Sequence, residues 1–423
     1  MKSSEEQSTL KRLSENFISL VTLQFINIVL PLLLIPYLIR VLGIEGFGIY
    51  SFVLAIVLYG VKLSDYGFVL SATYHISINQ TNKQKKDEVF SSVLTIKLLI
   101  VLAYIVLLTP LIFLVDKLYE YKEFIFLSYG VLFGSLMFPV WFFQGMEKMK
   151  YIMYLNSFLK FFFVVSVFIF VKDSSDLYLL FLLNSIAIFT TGLMALYVAI
   201  TKFNINLSWQ PLSRIYFYLK DGWYIFTSKI AVEFYTTVNI IILGFFVSPI
   251  IVGYYAIAEK IIHAIGGLLD PLTRTVYPYL VNVYQDSSDS FIRRNRQLAL
   301  VIFIIMFPVS LIVMFFAEPI LSLITGGKAA ELSIKALEIL SLALMVYLYG
   351  SQFTNILVTI KETKFLNKVL LSAALINTIL APILIYFYGV IGLVWLNVFI
   401  LFFMVIIKGY YIMNFKEVKS KLD

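Results

Sequence analysis

Apolar runs of about 20 residues recur along the whole chain, and short polar stretches separate them. The runs lie near 16–40, 46–72, 89–115, 123–144, 152–171, 177–201, 222–247, 252–281, 298–324, 332–360, 366–388 and 390–413. A stretch of about 20 apolar residues crosses the hydrocarbon core of a bilayer as a helix. Lipid offers the backbone no hydrogen-bond partner, so helices are the expected form. The pattern predicts an all-α membrane protein of about twelve transmembrane helices.

Composition strengthens that picture. Hydrophobic residues make up 61% of the 423 positions and charged residues only 14%, against about 25% charged in soluble domains. The cations are confined to a few places. The N-terminal tail, "NQTNKQKKDE", "GMEKMKY", the segment from Lys202 to Lys220, "RRNR", "KETKFLNK" and "KEVKSKLD" carry 20 Lys and Arg on one side. The other side holds only Arg40, Lys117, Lys122, Lys172 and Lys328. The positive-inside rule then places both termini in the cytoplasm, and an even helix count agrees. The first apolar run is too long for a cleaved signal peptide and reads as a membrane anchor. The sequons at Asn79 and Asn206 fall on the cytoplasmic side and carry no meaning there.

Several function classes drop out. Cysteine is absent, which removes disulfides and thiol chemistry. With two distant histidines, His75 and His263, a dedicated zinc site is not expected. The net charge of +8 is spread over loops rather than gathered in a nucleic-acid-binding patch. "TGGKAAE" (325–331) fails the phosphate-loop pattern, having Ser322 and Ala329 at two required positions. No nucleophile–base set or paired carboxylates suggest catalysis, so no enzymatic activity and no cofactor are expected.

The chain also repeats. Residues 202–221 form the longest cytoplasmic connection and split it into six-helix halves, 1–201 and 222–423. At an offset of 205 residues Gly48 overlays Gly253, Tyr50 overlays Tyr255, Ile56 overlays Ile261, Leu63 overlays Leu268 and Asp65 overlays Asp270. Halves of six spans enter the membrane in the same orientation, as in transporters that alternate access around a central site.

An ionised side chain at the centre of a membrane helix costs about 3 kcal/mol or more, so each one needs a reason. Lys97, Lys160 and Lys408 lie near cytoplasmic ends, where snorkelling accounts for them. Lys335 and Glu338 form a structural i,i+3 pair. The rest gather on the first two helices of each half. Lys62 and Asp65 share a face, as do Lys229 and Glu233. Glu259, His263, Asp270 and Arg274 form one stripe with Lys260 at its edge. Gln24, Asn27 and, at its outer end, Arg40 come from the first helix. Two readings compete: paired ions that lock helices together, and a hydrated central cavity. The clustering on the first two helices of each half favours the cavity. Pro31, Pro36, Pro271 and Pro278 are expected to interrupt their helices; such bends are hinges or simply tolerated kinks.

Several stretches resemble a known family. "IPYLIRVLGIEGFGIYSF" (35–52), "DYGFVLSAT" (65–73), "PVWFFQGMEKMKYI" (139–152), and "YYAIAEKI" followed by "DPLTRTVYPYL" are similar to the Wzx-type O-antigen flippases. These form the polysaccharide-transporter branch of the multidrug/oligosaccharidyl-lipid/polysaccharide exporter superfamily. The resemblance implies a two-lobed fold in the bacterial inner membrane. It implies an undecaprenyl-diphosphate-linked oligosaccharide as cargo, with a polysaccharide polymerase and chain-length proteins as allowed partners. Lys62, Asp65 and Arg40 carry over from its motifs; the charges at 229–274 rest on spacing. Mixed signs leave a purely anion-holding pocket in doubt. The acidic side chains either pair with the cations in the empty state or bind a proton or Na⁺. The rival readings are a MATE-like multidrug exporter, a flippase for another lipid-linked precursor, and a membrane-embedded glycan polymerase or ligase, which would need a long outer loop.

Overall fold

The computed structural model describes residues 2–269, 271–327 and 329–414. In order, they form α1 (Lys2–Asp65), α2 (Phe68–Ser77), α3 (Lys83–Leu114), α4 (Asp116–Glu120), α5 (Lys122–Leu127), α6 (Tyr129–Met137), α7 (Val140–Gly145) and α8 (Met149–Phe170). Then follow α9 (Leu177–Phe203), α10 (Leu212–Phe234), α11 (Thr237–Phe246), α12 (Pro249–Leu269), α13 (Pro271–Asp286), α14 (Ser288–Phe315), α15 (Ala317–Thr325), α16 (Glu331–Thr359) and α17 (Thr363–Asn414).

Among the described residues nine helical stretches are long and apolar enough to cross a membrane, or ten with the bent pair α10 and α11. Two of them are far too long for one crossing. Gln24–Ser77 and Thr363–Asn414 have 54 and 52 residues, about 80 Å at 1.5 Å per residue, against a core of about 30 Å. Each changes direction at a glycine: Gly43 at φ 72, ψ 171 and Gly389 at φ 60, ψ −149. Only glycine takes up such positive-φ backbone cheaply. Each stretch counted as two traversals is consistent with about twelve helices. The break in the first is therefore the work of Gly43; Pro31 and Pro36 sit inside the helix without interrupting it. Pro271 opens α13, a position where its missing N–H costs nothing, and Pro278 lies within it.

Two other boundaries differ from the pattern. The run at 123–144 is three short helices, α5 to α7, and the break between α6 and α7 arises because Phe138 precedes Pro139 and takes an extended conformation, φ −88, ψ 98. The run at 298–324 ends at Phe315 and restarts as α15. Pro319 has no N–H for the Phe315 carbonyl, so the first helix cannot continue through it.

Several spanning stretches keep most of their apolar surface outside the protein interior, with only 22–29% of the apolar segment buried in Gln24–Ser77, Lys83–Leu114, Met149–Phe170 and Asp289–Phe315. Leu107, Phe161, Phe162, Phe315 and Phe387 are exposed. A soluble chain does not display such surface, and lipid is the solvent that suits it. The protein is a multi-pass membrane protein.

The chain forms two compact units, residues 1–37 with 41–230, and residues 38–40 with 231–423. The connection at 204–221 belongs to the first. There the Asn206 N–H donates to Asp87 Oδ1 at 3.0 Å, the Ser208 N–H donates to Ser91 Oγ at 3.1 Å, and His75 Nε2 lies 3.0 Å from Asp221 Oδ2. The changeover thus falls at Ile230–Ala231, inside α10, rather than in that connection.

Each unit contains the same two devices. In the first, Asn184 Nδ2 donates to the Tyr50 hydroxyl at 3.0 Å; in the second, Asn397 Nδ2 donates to the Tyr255 hydroxyl at 3.2 Å. In the first, α7 ends in a turn with Glu147 at φ 54, where Lys148 N–H reaches Phe143 O at 2.8 Å. In the second, α16 ends with Lys361 at φ 62, where Glu362 N–H reaches Leu357 O at 2.8 Å. Both are Schellman closures, a six-residue bond over a left-handed residue.

Candidate functional site

Asp65 is the last residue of α1, ahead of the sharp turn at Tyr66 (φ 41) and Gly67 (φ 80). Its partner is Lys97 of α3: Lys97 Nζ lies 3.0 Å from Asp65 Oδ1. The Lys97 side chain is 3% exposed and that of Asp65 34%. Snorkelling therefore does not describe Lys97. It sits about 21 Å along α3 from Lys83, and a second acceptor completes its site. Lys97 Nζ donates to the Ser135 carbonyl at 3.1 Å. In an unbroken helix that carbonyl would bond the N–H of residue 139, which is a proline and has none. Pro139 thus supplies Lys97 with an acceptor. Lys62 is exposed one turn before Asp65, which is half-buried.

The second unit is built around a break. Between α10 and α11, Thr236 adopts φ −119, ψ −93. Thr237 Oγ1 donates across the break to Glu233 Oε2 at 2.6 Å. Asn377 Nδ2, from α17, donates to the Phe234 carbonyl at 2.8 Å and to Asn239 Oδ1 at 2.7 Å. Asn239 and Asn377 are both fully buried. Asn377→Ala takes the donor from the buried Asn239 Oδ1, a loss of about 1–3 kcal/mol. The expected result is a lower melting temperature with faster amide exchange at residues 234–239; unchanged exchange there would refute the bracing role.

On α12 the Tyr255 hydroxyl donates to Glu259 Oε1 at 3.2 Å, and His263 Nε2 lies 3.9 Å from the same oxygen. Glu259 is buried while the His263 side chain is half exposed. At the repeat offset Glu259 corresponds to Leu54, so the tyrosine–asparagine pair is duplicated and the carboxylate beside it is not. Lys260 is half-buried next to Glu259. Lys229 is half-buried on α10 at the end of the first unit. Arg40 is exposed and groups with the second unit, where its guanidinium lies over Gly326. Asp270 lies outside the described residues, as do the side chains of Arg274 and Asn27.

Two further side chains depart from the sequence reading. Lys408 is 3% exposed and donates to Thr354 Oγ1 at 3.1 Å, buried rather than snorkelling. Lys335 pairs with Glu331 at 2.6 Å, not with Glu338. The residues that spacing missed are Lys97, Ser135, Asn239, Asn377 and Asn397. Pro139 was the available signal for the first two, and asparagines inside apolar runs for the others.

Duplicated helical units with ionic and amide groups held at helix breaks define a polytopic membrane protein of transporter architecture. Residues 13–284 match the family described as Polysaccharide biosynthesis protein, and residues 289–383 match MatE. The chain belongs to the polysaccharide biosynthesis protein family. It is 31% identical over 375 residues, 87% of this chain and 89% of the other, to the Escherichia coli (strain K12) protein named "Putative O-antigen transporter". Among solved structures it is similar to the lipid II flippase MurJ in an inward closed conformation. That likeness has TM-score 0.75 and 15% identity, covering 96% of this chain and 88% of that one. It is also similar to an inward-facing multidrug resistance MATE family transporter of the MOP superfamily, with TM-score 0.69 and 16% identity, covering 97% and 98%. These two likenesses show the fold.

Proposed function

We propose that the chain is a flippase that moves an undecaprenyl-diphosphate-linked oligosaccharide from the cytoplasmic to the outer leaflet of a bacterial inner membrane by alternating access. The observation that supports this reading is the 31% identity to the Escherichia coli protein named "Putative O-antigen transporter", over 87% of this chain and 89% of that one. The basic loops support cytoplasmic termini.

In the first unit Lys62 and Lys229 are the cations offered to the diphosphate through charge-assisted hydrogen bonds; in the second, Lys260 and Arg274. Lys97 is not among them, since Asp65 and the Ser135 carbonyl occupy its ammonium. Glu233 and Glu259 are the carboxylates available to a coupling proton or Na⁺. The polyprenyl tail stays in lipid.

Lys62→Ala is expected to reduce surface-polysaccharide export at least tenfold in a strain that depends on this chain, with the protein present at wild-type level. Lys62 is exposed, and a melting temperature of the variant within about 2 °C of wild type separates lost transport from lost folding. Full export by this variant would overturn its role. The MatE match at 289–383 favours a second reading, a drug exporter. Under that reading deletion sensitises cells to cationic drugs and leaves surface polysaccharide intact.

A further inference from the structure

The connection between α9 and α10 carries apolar side chains where a loop in water would carry polar ones. Trp209 is 93% exposed, Leu212 81% and Tyr216 67%. Leu212, Tyr216 and Lys220 recur at i, i+4 and i+8, so they share one side of α10, and Trp223 continues the apolar part of that side. A neighbouring side of the same helix turns inward: Ile215 and Tyr218 are buried in the core around Phe90 and Trp141. The opening turns of α10 thus have one apolar side packed on protein and another left outward.

What covers the outward side follows from its level. The Asn206 N–H bonds Asp87 and the Ser208 N–H bonds Ser91. Arg214 Nε lies 3.5 Å from Glu88 Oε1, and the Tyr218 hydroxyl donates to the same oxygen at 3.2 Å. Residues 87–91 of α3 are where the charged stretch "KQKKDE" gives way to the apolar run that begins at Val89. These contacts fix the connection at the boundary between headgroups and acyl chains. Trp and Tyr concentrate at that boundary, where an apolar ring and a polar edge each meet a suitable medium.

Charge selects the kind of lipid. Asp221 is engaged with His75, and Arg214 with Glu88. Lys220 is exposed beside the apolar stripe. Lys150 and Lys202 are exposed as well, and both ammoniums lie 5.9 Å from the centroid of the Tyr151 ring. An apolar stripe bordered by cations fits a surface that is apolar beneath and anionic above. It does not fit a second copy of the chain, since a two-fold contact would set the same lysines against each other.

We propose that this connection docks on anionic phospholipid of the leaflet beside it. Trp209, Leu212 and Tyr216 enter the boundary of the acyl chains, and Lys150, Lys202 and Lys220 take up lipid phosphates. The docking does not depend on what the protein carries.

The test uses the full chain in nanodiscs. The sequence has no cysteine, so Trp209→Cys, Leu212→Cys and Tyr216→Cys each take one spin label without background. Thr81→Cys, exposed in the turn before α3, marks water. Power-saturation EPR compares access by oxygen and by a water-soluble nickel chelate, in phosphatidylcholine alone or with about 30 mol% phosphatidylglycerol. With phosphatidylglycerol the oxygen-to-nickel ratio at 212 and 216 should exceed that at 81 by about threefold or more. The triple variant Lys150→Gln, Lys202→Gln, Lys220→Gln should return that ratio to its lower value in phosphatidylcholine. A ratio equal to that at 81 overturns the proposal, because the side then faces water, in the cytoplasm or in a cavity. Low access for both reagents also overturns it, because protein then covers the side, as in a dimer. A high ratio indifferent to phosphatidylglycerol and to the three lysines overturns the anionic partner. Trp209→Cys and Leu212→Cys decide the matter if Tyr216→Cys does not fold.

Discussion

Asp65→Ala is expected to destabilise the purified protein far more than Lys97→Met, although both remove the same ion pair. The asymmetry follows from burial. Lys97 keeps only 3% of its side chain exposed, while Asp65 keeps 34%. Without Asp65 the ammonium is stranded in the interior with a single neutral acceptor, the Ser135 carbonyl. Removing one member of a buried pair in this way costs about 3–5 kcal/mol. Without Lys97 the carboxylate turns to solvent, and methionine fills the lysine stem's volume. The double variant Asp65→Ala, Lys97→Met should regain most of the loss, since no uncompensated charge is left. Thermal melting of the four proteins in one detergent checks this. Equal losses for the two single variants, or no recovery in the double, would mean that the pair is not the source of the effect.

Gly192→Val is the second large effect, and here failure to accumulate folded protein is expected. A Cβ at Gly192 of α9 would meet the backbone of Gly134 in α6, with the Gly134 oxygen nearest and its Cα only 2.9 Å away. Gly134 in turn faces the backbone of Ile188 and Phe189, and Gly130 faces the Ser185 Cβ at 2.9 Å. Backbone against backbone leaves nothing to rotate aside. Close approach through small residues is how membrane helices gain packing when lipid supplies no hydrophobic drive between them. The two helices must separate, and every contact along their crossing weakens together. Gly192→Ala is the graded control, expected to be milder but still destabilising. Fluorescence-detected size exclusion of both variants reads the outcome; a monodisperse wild-type peak for Gly192→Val would refute the crossing.

The helical membrane architecture was legible because lipid imposes a long apolar run at every crossing, and such runs survive in a single sequence. What broke the helices was less legible. Four prolines drew attention, yet Pro31 and Pro36 are accommodated and Gly43 makes the turn. A proline's cost depends on whether its neighbours re-satisfy the freed carbonyl, which spacing does not reveal. Pro139 shows the reverse: the carbonyl it frees becomes part of the Lys97 site. Helical spacing also identifies only partners on the same helix. It put Asp65 on one face with Lys62, three residues away, and could not show the bond to Lys97, 32 residues on. The pairing of Tyr50 with Asn184 is longer still in sequence, and only its repetition as Tyr255 with Asn397 exposes it as a shared device. The close approach at Gly130 and Gly134 was not read from the sequence; it emerges only from the contacts of their backbone with α9.

The Asp65–Lys97 bond also bears on biogenesis. During synthesis the segment holding Asp65 leaves the translocon before the one holding Lys97. The carboxylate is thus already at its depth when the lysine arrives, and the two segments can partition into lipid together as a neutral hairpin. Either order would leave one charge waiting for its counter-ion, so what limits the cost is that only 32 residues separate the two.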